Sequence, residues 1–413
     1  MSARVNIDRI REDLLELSEI GRNPRDRGIY RMAFSDSDLA GKDWLEKKMQ
    51  GVGLSTSRDG VANVTGLLGH SKGGLARVVV GSHIDTVPCA GMLDGSLGVI
   101  VGLECLRVMQ EKNSSLRRPI ELIAFSDEEG RFGGTVGSEA YVGDLSREKL
   151  ENACDLNGVR LVDLLRKQGL SVEQALGSVR KPEDLHAYLE LHIEQGPVLD
   201  KLGLQVGVVD WITGLRSWAI TLQGETNHAG TTPMHFRKDA LLGLADFAHE
   251  IGRILDEVGS PESRATVGKA EILPGAPNSV PGRVDFSLDF RDPSPAVLAE
   301  LSTAFDRTLL AICRRRGLAS EVHSQGEIAP VEADPMIVDL LSEKAKNLDL
   351  KYQVMPSGAA HDAQLLAKIT RMGMIFVPSK GGLSHSPAEA TDWGDVEAGA
   401  NLLLQALQEL ACS

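Results

Sequence analysis

The segment Leu75–Asp85, LARVVVGSHID, decides the fold class of this chain. Its run of apolar, largely β-branched residues predicts a buried strand, and the sequence GSLGVIVGLECLRVMQEK at 95–112 predicts a helix after it. Further buried strands are predicted at 118–130, RPIELIAFSDEEG, and at 184–196, DLHAYLELHIEQG. Strands that alternate with helices predict a doubly wound α/β domain with a mixed sheet, in which ligands bind at the carboxyl ends of the strands.

The pattern changes at about Trp211. From there to about Glu327 the order is strand, helix, two strands, helix and strand, which is typical of a small ferredoxin-like α+β unit. The α/β pattern then resumes and continues towards the carboxyl terminus. A chain of 413 residues is long enough for two cores. We therefore predict one domain from residues 1–211 and 328–413, with a ferredoxin-like domain inserted at 212–327.

The composition restricts the partners. The formal charge is −14, from 58 acidic and 44 basic residues, which disfavours nucleic acids and acidic membranes because both are bound through basic patches. No apolar run has transmembrane length, and the first twenty residues have the pattern of an amphipathic helix rather than a signal peptide. The five cysteines form no CxxC pair. We expect reduced thiols, a cytoplasmic location and a small-molecule partner.

Chemistry-bearing side chains follow the first predicted strand. His83 and Asp85 are two residues apart and can lie together, with the imidazole on a metal and the carboxylate holding it from behind. Asp94 follows a glycine-bearing turn and could bridge two ions. Taken alone, this pattern favours an N-capping aspartate near a surface histidine.

The same kind of residue recurs at other strand ends and loops. Glu128 and Glu129 end a second buried strand, where one carboxylate can bind a metal while its neighbour serves as general base. His192 lies in the third strand, and His385 lies in the glycine-rich loop SKGGLSHSP. Each histidine alone would indicate a core or surface residue, but together the set indicates a metal site. Imidazole and carboxylate ligands without cysteine suit Zn²⁺, Mn²⁺, Co²⁺ or Ni²⁺.

The motifs also resemble a known family. The chain is similar to the dinuclear-metal amidohydrolases of the aminoacylase and carboxypeptidase clan. It most resembles the group of N-carbamoyl-L-amino acid hydrolases, β-ureidopropionases and allantoate amidohydrolases. The resemblance covers nearly the whole chain and rests on nine motifs that occur in the family's order. These are GSHIDT, LDG, DEEG, LHIEQGP, NHAGTTPM, PNSVPG, DFRD, SGAAHDA and SHSP.

The resemblance implies two divalent metal ions per subunit, with Zn²⁺ as the first choice and Mn²⁺, Co²⁺ or Ni²⁺ as alternatives. It places His83, Asp94 and His192 on one ion, and Asp94 with two further residues, Glu129 and His385, on the other. Asp94 is then the bridging ligand of the pair.

The catalytic roles implied by the resemblance fall on three residues. Glu128 would activate the attacking water, and Asp85 would orient a histidine ligand. His228, in the inserted domain, would reach the active site of a partner subunit and stabilise the developing oxyanion. The resemblance therefore implies a homodimer formed through the inserted domain, which would also act as a lid over the catalytic domain.

The resemblance further implies a binding site for a ureido acid. Asn278 and Arg291 match the family's clamp for the substrate carboxylate, a role that suits the forked guanidinium donors. Gln195 matches a substrate-contacting position, and Arg216 matches an arginine of allantoate-type members. Ala360 replaces a glycine that members commonly carry, so its methyl group narrows a place where backbone and ligand approach each other.

The reaction implied is hydrolysis of a ureido C–N bond in an N-carbamoyl amino acid, with release of ammonia, or the corresponding reaction of allantoate. A peptidase or aminoacylase of the same clan is disfavoured because such relatives usually carry an acidic residue at the position of His192. A metal-free binding protein on an enzyme scaffold is disfavoured by the complete set of ligands and base.

Overall fold

The computed structural model describes residues 3–70 and 74–412, so parts of the predicted first domain, residues 1, 2, 71–73 and 413, lie outside it. The chain divides into two compact units. Unit 1 extends to Asp210 and resumes at Glu332, and unit 2 is Trp211–Val331. No described helix is both long and apolar enough to cross a membrane.

Unit 1 contains most of the helices and strands. Its helices are α1 (Ile7–Glu19), α2 (Asp36–Gly51), α3 (Ser96–Glu111), α4 (Val136–Val142), α5 (Arg147–Asn152), α6 (Leu161–Lys167), α7 (Val172–Leu176), α8 (Val198–Leu202), α11 (Pro335–Asn347), α12 (Asp362–Leu366) and α13 (Trp393–Cys412). Its strands are β1 (Ser55–Arg58), β2 (Val64–Leu68), β3 (Arg77–His83), β4 (Ile120–Phe125), β5 (Leu185–Ile193), β6 (Val206–Ile212), β14 (Val331–Glu332), β15 (Tyr352–Ser357) and β16 (Arg371–Val377). Strands β6 and β14 cross the boundary by one or two residues, since Trp211, Ile212 and Val331 belong to unit 2.

These nine strands form one mixed sheet. Their order is β1-β2-β4-β3-β5-β16-β6-β14, and β15 also pairs with β6. The four central strands, β4, β3, β5 and β16, run parallel, whereas β2 joins β4 and β6 joins β16 in antiparallel pairs. The predicted α/β class with a mixed sheet is therefore confirmed. Because the central strands are parallel, their carboxyl ends lie at one edge of the sheet.

Strand β5 shows how the sequence divides between the two faces of this sheet. Leu189, Leu191 and Ile193 belong to the main hydrophobic core, together with apolar residues of α3 and α13. The alternate residues Glu190 and His192 are buried but lie outside that core. Since side chains of a strand alternate between faces, the apolar residues that anchor β5 also turn His192 to the opposite side.

Unit 2 has two helices, α9 (Ala240–Val258) and α10 (Pro295–Arg316). Its strands are β7 (Gly214–Gln223), β8 (Asn227–His228), β9 (Arg264–Thr266), β10 (Ala270–Leu273), β11 (Ser279–Val280), β12 (Arg283–Asp292) and β13 (Ala319–Ile328). The main sheet has the order β10-β12-β7-β13, with β9 on β12, while β8 and β11 form a separate pair. This is the strand order of a ferredoxin-like unit.

The core of unit 2 lies between its sheet and its two helices. Along β12, Phe286, Leu288 and Phe290 are buried, whereas Ser287 and Asp289, which alternate with them, are half-buried. Phe286 packs against Phe247 of α9 with ring centroids 5.8 Å apart, and Phe290 packs against Phe305 of α10 at 5.2 Å. The alternation of β12 therefore supplies one apolar face for the helices and leaves a polar face opposite.

Candidate metal centre and active site

The candidate ligands of unit 1 lie at the carboxyl ends of its parallel strands. His83 is the last residue of β3, His192 is the penultimate residue of β5, and Glu129 follows β4 in the turn after Phe125. His385 lies in the loop after β16. These side chains therefore converge because β4, β3, β5 and β16 are neighbours that run in the same direction.

The first group contains His83, Asp94 and His192, all of them buried. The Oδ1 atom of Asp94 lies 3.2 Å from His192 Nε2 and 3.9 Å from His83 Nε2. The three residues offer ligand atoms within 4.8 Å of one another, a spacing at which one ion can bind to all three.

The second group shares Asp94 with the first and adds Glu129 and His385. The Oδ2 atom of Asp94 lies 3.3 Å from His385 Nε2, and the same nitrogen lies 3.4 Å from Glu129 Oε2. The two carboxylate oxygens of Asp94 thus face different histidines. This is the arrangement required of a carboxylate that bridges two ions.

The orientation of the imidazoles suits metal binding. The Nδ1 atom of His83 lies 3.0 Å from the main-chain oxygen of Asp85, and that of His192 lies 2.9 Å from the oxygen of Ile193. A carbonyl oxygen can only accept, so each Nδ1 carries the hydrogen and each Nε2 keeps its lone pair. Both Nε2 atoms lie near the shared aspartate, where a cation could bind them, and His192 Nε2 also accepts the main-chain N–H of Gly95 at 3.2 Å.

Buried negative charge is the second observation that fits a cation. Burial, with Asp94 nearby, raises the pKa of Glu129 to about 8. Its Oε1 atom is buried and has no hydrogen-bond partner among the described residues. Burial and the neighbouring Asp362 and Glu129 raise the pKa of Glu128 well above its usual range. A divalent cation at this place would neutralise the excess charge and give the free oxygen a partner.

Glu128 stands beside the first group. Its side chain is 11% exposed, and its Oε2 atom lies 3.6 Å from His83 Nε2. Asp127, in the left-handed conformation with φ of 61°, accepts the main-chain N–H of Phe132 on its carboxylate and so shapes the turn that presents Glu128 and Glu129. A carboxyl group with a raised pKa beside a cation site is suited to proton transfer.

Asp85 meets the His83 ring through its main chain rather than through the carboxylate that the spacing of the two residues suggests. Its main-chain oxygen meets the His83 ring at 3.0 Å, while its nearest carboxylate oxygen lies 3.8 Å from His83 Nδ1. The carboxylate faces the main-chain N–H groups of Glu128 and Glu129, at 3.4 and 3.3 Å. Asp85 therefore ties the strand end that carries His83 to the turn that carries the two glutamates.

Gln195 also lies at the site, in the left-handed conformation with φ of 57°. Its Nε2 atom donates to Asp94 Oδ2 at 2.7 Å, and its main-chain N–H donates to the Ser379 hydroxyl at 3.0 Å. The side-chain oxygen is buried without a hydrogen-bond partner among the described residues. An amide held in this way has one free acceptor for a ligand.

His228 and Asn278 are neighbours in unit 2. His228 in β8 pairs with Ser279 in β11, and the main-chain N–H of Ala229 donates to the main-chain oxygen of Asn278 at 2.8 Å. Two motifs that are distant in the sequence, NHAGTTPM and PNSVPG, are therefore joined by one short strand pair.

The two candidate arginines of unit 2 have different surroundings. Arg216 lies on β7 and binds Glu327 at 2.6 Å and the Ser302 hydroxyl at 2.5 Å. Arg291 lies on β12 and pairs with Asp289, with 3.0 Å between Arg291 Nε and Asp289 Oδ1. The guanidinium of Arg216 is thus engaged within its own unit.

His361 was not singled out from the sequence. It is buried, its ring lies against the ring of His192 with centroids 4.5 Å apart, and Ser357 contacts its Nε2 at 3.0 Å. With Glu190 and His192 it forms a third group of possible ligands. Glu190, however, already accepts from the Ser82 and Tyr188 hydroxyls at 2.7 and 3.0 Å. The motif SGAAHDA contains His361 and is the part of the sequence from which this histidine could have been identified. Ala360, directly before it, is exposed.

Residues 79–409 match the family described as Peptidase family M20/M25/M40. The chain belongs to the M20/M25/M40 family. Enzymes of the M20/M25/M40 family are metal-dependent and have a dinuclear site, which agrees with two groups of candidate ligands that share Asp94.

Relatives within the M20/M25/M40 family extend over the whole chain. The chain is 35% identical over 409 residues to an N-carbamoyl-L-amino-acid amidohydrolase of Paenarthrobacter aurescens, with 98% of each chain covered. It is 35% identical over 404 residues to an allantoate amidohydrolase of Escherichia coli, with 97% of each covered. A crystal structure of an amidase of the hydantoinase/carbamoylase family from Burkholderia multivorans superposes with a TM-score of 0.93 at 35% identity and covers 100% of both chains.

Proposed function

We propose that this protein is an amidohydrolase that cleaves a ureido C–N bond in an N-carbamoyl amino acid or a related ureido acid, with release of ammonia. Full-length relatives with this activity in their names support the reaction class. They include both carbamoyl amino acid and allantoate hydrolases at the same identity, so allantoate is the second candidate substrate.

The observation that carries the proposal is the position of Asp94. One of its oxygens faces His192 at 3.2 Å, and the other faces His385 at 3.3 Å. We propose that His83, Asp94 and His192 hold one divalent ion, and that Asp94, Glu129 and His385 hold the other. Imidazole and carboxylate ligands favour Zn²⁺, with Mn²⁺, Co²⁺ or Ni²⁺ as alternatives.

Two ions bound there would polarise the ureido carbonyl and acidify a water molecule. Glu128 carries out the proton transfers of the reaction. Its carboxylate lies 3.6 Å from His83 Nε2, beside the group of His83, Asp94 and His192. Glu128 takes a proton from the attacking water on its carboxylate and then delivers it to the leaving nitrogen. The carbamate released from an N-carbamoyl amino acid breaks down to ammonia and carbon dioxide. Asp85 positions His83 and the turn that carries Glu128.

We propose that substrate is bound by Gln195 in unit 1 and by His228, Asn278 and Arg291 in unit 2. Gln195 offers its free side-chain oxygen to a ureido N–H. Arg291 and Asn278 bind the substrate carboxylate, and His228 stabilises the oxyanion. The pairing of β8 with β11 supports a joint role for His228 and Asn278, because it places their main chains together.

The role of Arg216 stays a prediction of the resemblance. To meet a ligand, its guanidinium would exchange the carboxylate of Glu327 for that of the substrate. Such an exchange costs little where the ion pair is partly exposed, as it is here.

The resemblance also supports a homodimer formed through unit 2, with His228 serving the metal centre of the partner subunit. In this proposal unit 1 is the catalytic domain and unit 2 is the lid and dimerisation domain. All five cysteines are described and carry free thiols, which supports the proposed cytoplasmic location.

The test is ammonia release from a panel of N-carbamoyl-L-amino acids, N-carbamoyl-β-alanine and allantoate, with a dipeptide and an N-acetyl amino acid as controls. The proposal expects turnover of at least one ureido acid, loss of that turnover with a chelator, and recovery with added metal. Hydrolysis of the dipeptide or of the N-acetyl amino acid alone would assign a peptidase or aminoacylase instead. Binding without hydrolysis of any compound would favour a binding protein.

A further inference from the structure

We propose that Glu389 is a positioning residue, which holds the metal ligands Asp94 and His385 in place from the loop between β16 and α13. This inference rests on the proposed metal centre but not on the identity of the substrate. None of the family motifs includes Glu389, which lies two residues after the motif SHSP.

The first support is the contact with the turn that carries Asp94. Glu389 is 6% exposed, and its Oε1 atom accepts the main-chain N–H groups of Leu93 and Asp94 at 2.6 and 3.0 Å. Both N–H groups are buried, and without this oxygen each would lose a hydrogen bond that costs free energy to leave unmade. The carboxylate thereby sets the direction in which the Asp94 side chain leaves the main chain.

The second support is the contact with the loop that carries His385. The Ser384 hydroxyl lies between two carboxylates, 2.8 Å from Asp94 Oδ2 and 3.4 Å from Glu389 Oε2. The main-chain N–H of Glu389 donates to the Ser386 oxygen at 3.0 Å. The side chain of Glu389 therefore contacts Ser384, directly before His385, and the turn that carries Asp94, while its main chain contacts Ser386, directly after His385.

The third support is the space reserved for this side chain. A Cβ atom added to Gly91 would lie 2.5 Å from Glu389 Cβ and 2.6 Å from its Oε1. Only glycine at position 91 leaves room for the carboxylate to reach the two N–H groups. Both Gly91 and Glu389 therefore serve the same junction between two loops that are far apart in the sequence.

The test compares Glu389→Ala with Glu389→Gln in the full-length protein. Glutamine keeps the Oε1 acceptor for both N–H groups, and its amide can donate to Ser384, whereas alanine removes every contact. Each variant is stripped with a chelator and titrated with Zn²⁺ against a competing chelator. We expect Glu389→Ala to bind one or both ions about 10- to 100-fold more weakly, and Glu389→Gln to stay within about threefold of the wild type.

Steady-state kinetics of the same variant provide a second test. In Glu389→Ala, kcat at limiting Zn²⁺ should fall and should recover with excess Zn²⁺, while KM for the substrate stays unchanged. The control is Glu104→Ala. Glu104 is a buried carboxylate on α3 that is paired with Arg9 and Arg107, so its loss should lower thermal stability without changing Zn²⁺ affinity.

If Glu389→Ala does not fold, Gly91→Ala tests the proposal instead. The methyl group of the new alanine would displace the Glu389 carboxylate from the main-chain N–H groups of Leu93 and Asp94. Unchanged Zn²⁺ affinity in a folded Glu389→Ala or Gly91→Ala protein would overturn the positioning role. Equal weakening in Glu389→Gln and Glu389→Ala would also overturn it, because a hydrogen-bond acceptor would then not suffice. A wild-type protein that binds no metal would instead overturn the proposed metal centre.

Discussion

His385 Nε2 lies 3.3 Å from Asp94 Oδ2, although the two residues belong to opposite halves of the sequence. The contact joins the loop after β16 to the turn before α3, and it places one imidazole on a carboxylate that already faces His192. This contact supports the proposal of two ion sites that share one ligand.

The shared ligand predicts how the metal content of variants should differ. The wild type should hold close to two divalent ions per chain. His83→Ala and His385→Ala should each lose about one ion, because each removes a ligand from one group only, and Asp94→Asn should lose both. Elemental analysis of dialysed protein measures the content. The exposed His323→Ala serves as the control that retains both ions, and equal losses in His385→Ala and His323→Ala would contradict the arrangement.

Substitutions of the adjacent residues Glu128 and Glu129 should have different effects on activity and metal content. Glu128→Gln should keep both ions and lower kcat by about 10²- to 10⁴-fold, because it removes the proton acceptor but not a ligand. Glu129→Gln should lower the metal content as well. Parallel measurement of kcat and bound metal checks both statements. A Glu128→Gln protein with nearly normal kcat would transfer the role of base to another residue.

Arg291→Lys tests the proposed carboxylate clamp. Lysine keeps the charge but not the forked donors, so KM for the ureido acid should rise by about tenfold while kcat changes less. Arg283→Lys is a matched control, since Arg283 lies on the same strand and pairs with an aspartate two residues away, as Arg291 does. If both variants show the same kinetics as the wild type, Arg291 has a structural role only.

The ion pair of Asp246 predicts a stability change with pH in unit 2. Hydrogen bonds from Arg316 and Arg315 lower the pKa of Asp246 to about 2 in the folded state. A carboxylate whose folded pKa lies below the unfolded value near 3.9 stabilises the fold above about pH 4 and loses that effect as the pH falls towards 2.

Asp246→Asn should therefore lower stability at neutral pH, by about 1 kcal/mol or less for a partly exposed pair, and should match the wild type near pH 2. Denaturant unfolding at several pH values in the presence of chelator measures the difference without any contribution from bound metal. A difference that stays constant down to pH 2 would assign the effect to something other than the ionised carboxylate.

Subunit mixing tests whether His228 serves the partner's metal centre. Glu128→Gln and His228→Ala proteins, each inactive alone, are combined under conditions that permit exchange of subunits. If His228 acts across a dimer, each mixed dimer has one site with both defects and one with neither, and activity returns. If exchange is confirmed and activity stays lost, His228 acts within its own chain or has no catalytic role.

The sequence alone was sufficient for the fold class and for the choice of candidate ligands. Apolar runs along β3, β4 and β5 predict buried strands, and parallel strands in an α/β sheet present their carboxyl ends at one edge. Because His83, Glu129 and His192 lie at or near those ends, local patterns place them at that edge. Local patterns also predict the two helices of unit 2, which the structure has as α9 and α10.

The contacts between side chains were decided by the tertiary structure. Whether the carbonyl or the carboxylate of Asp85 meets His83 depends on the main-chain path after the strand. The partner of Arg216 on β13 depends on the register of a long-range strand pair, and the reach of Glu389 to the Asp94 turn depends on the position of a distant loop. Periodicity and motifs describe neighbours along the chain, whereas these contacts are fixed by the order of strands across the sheet.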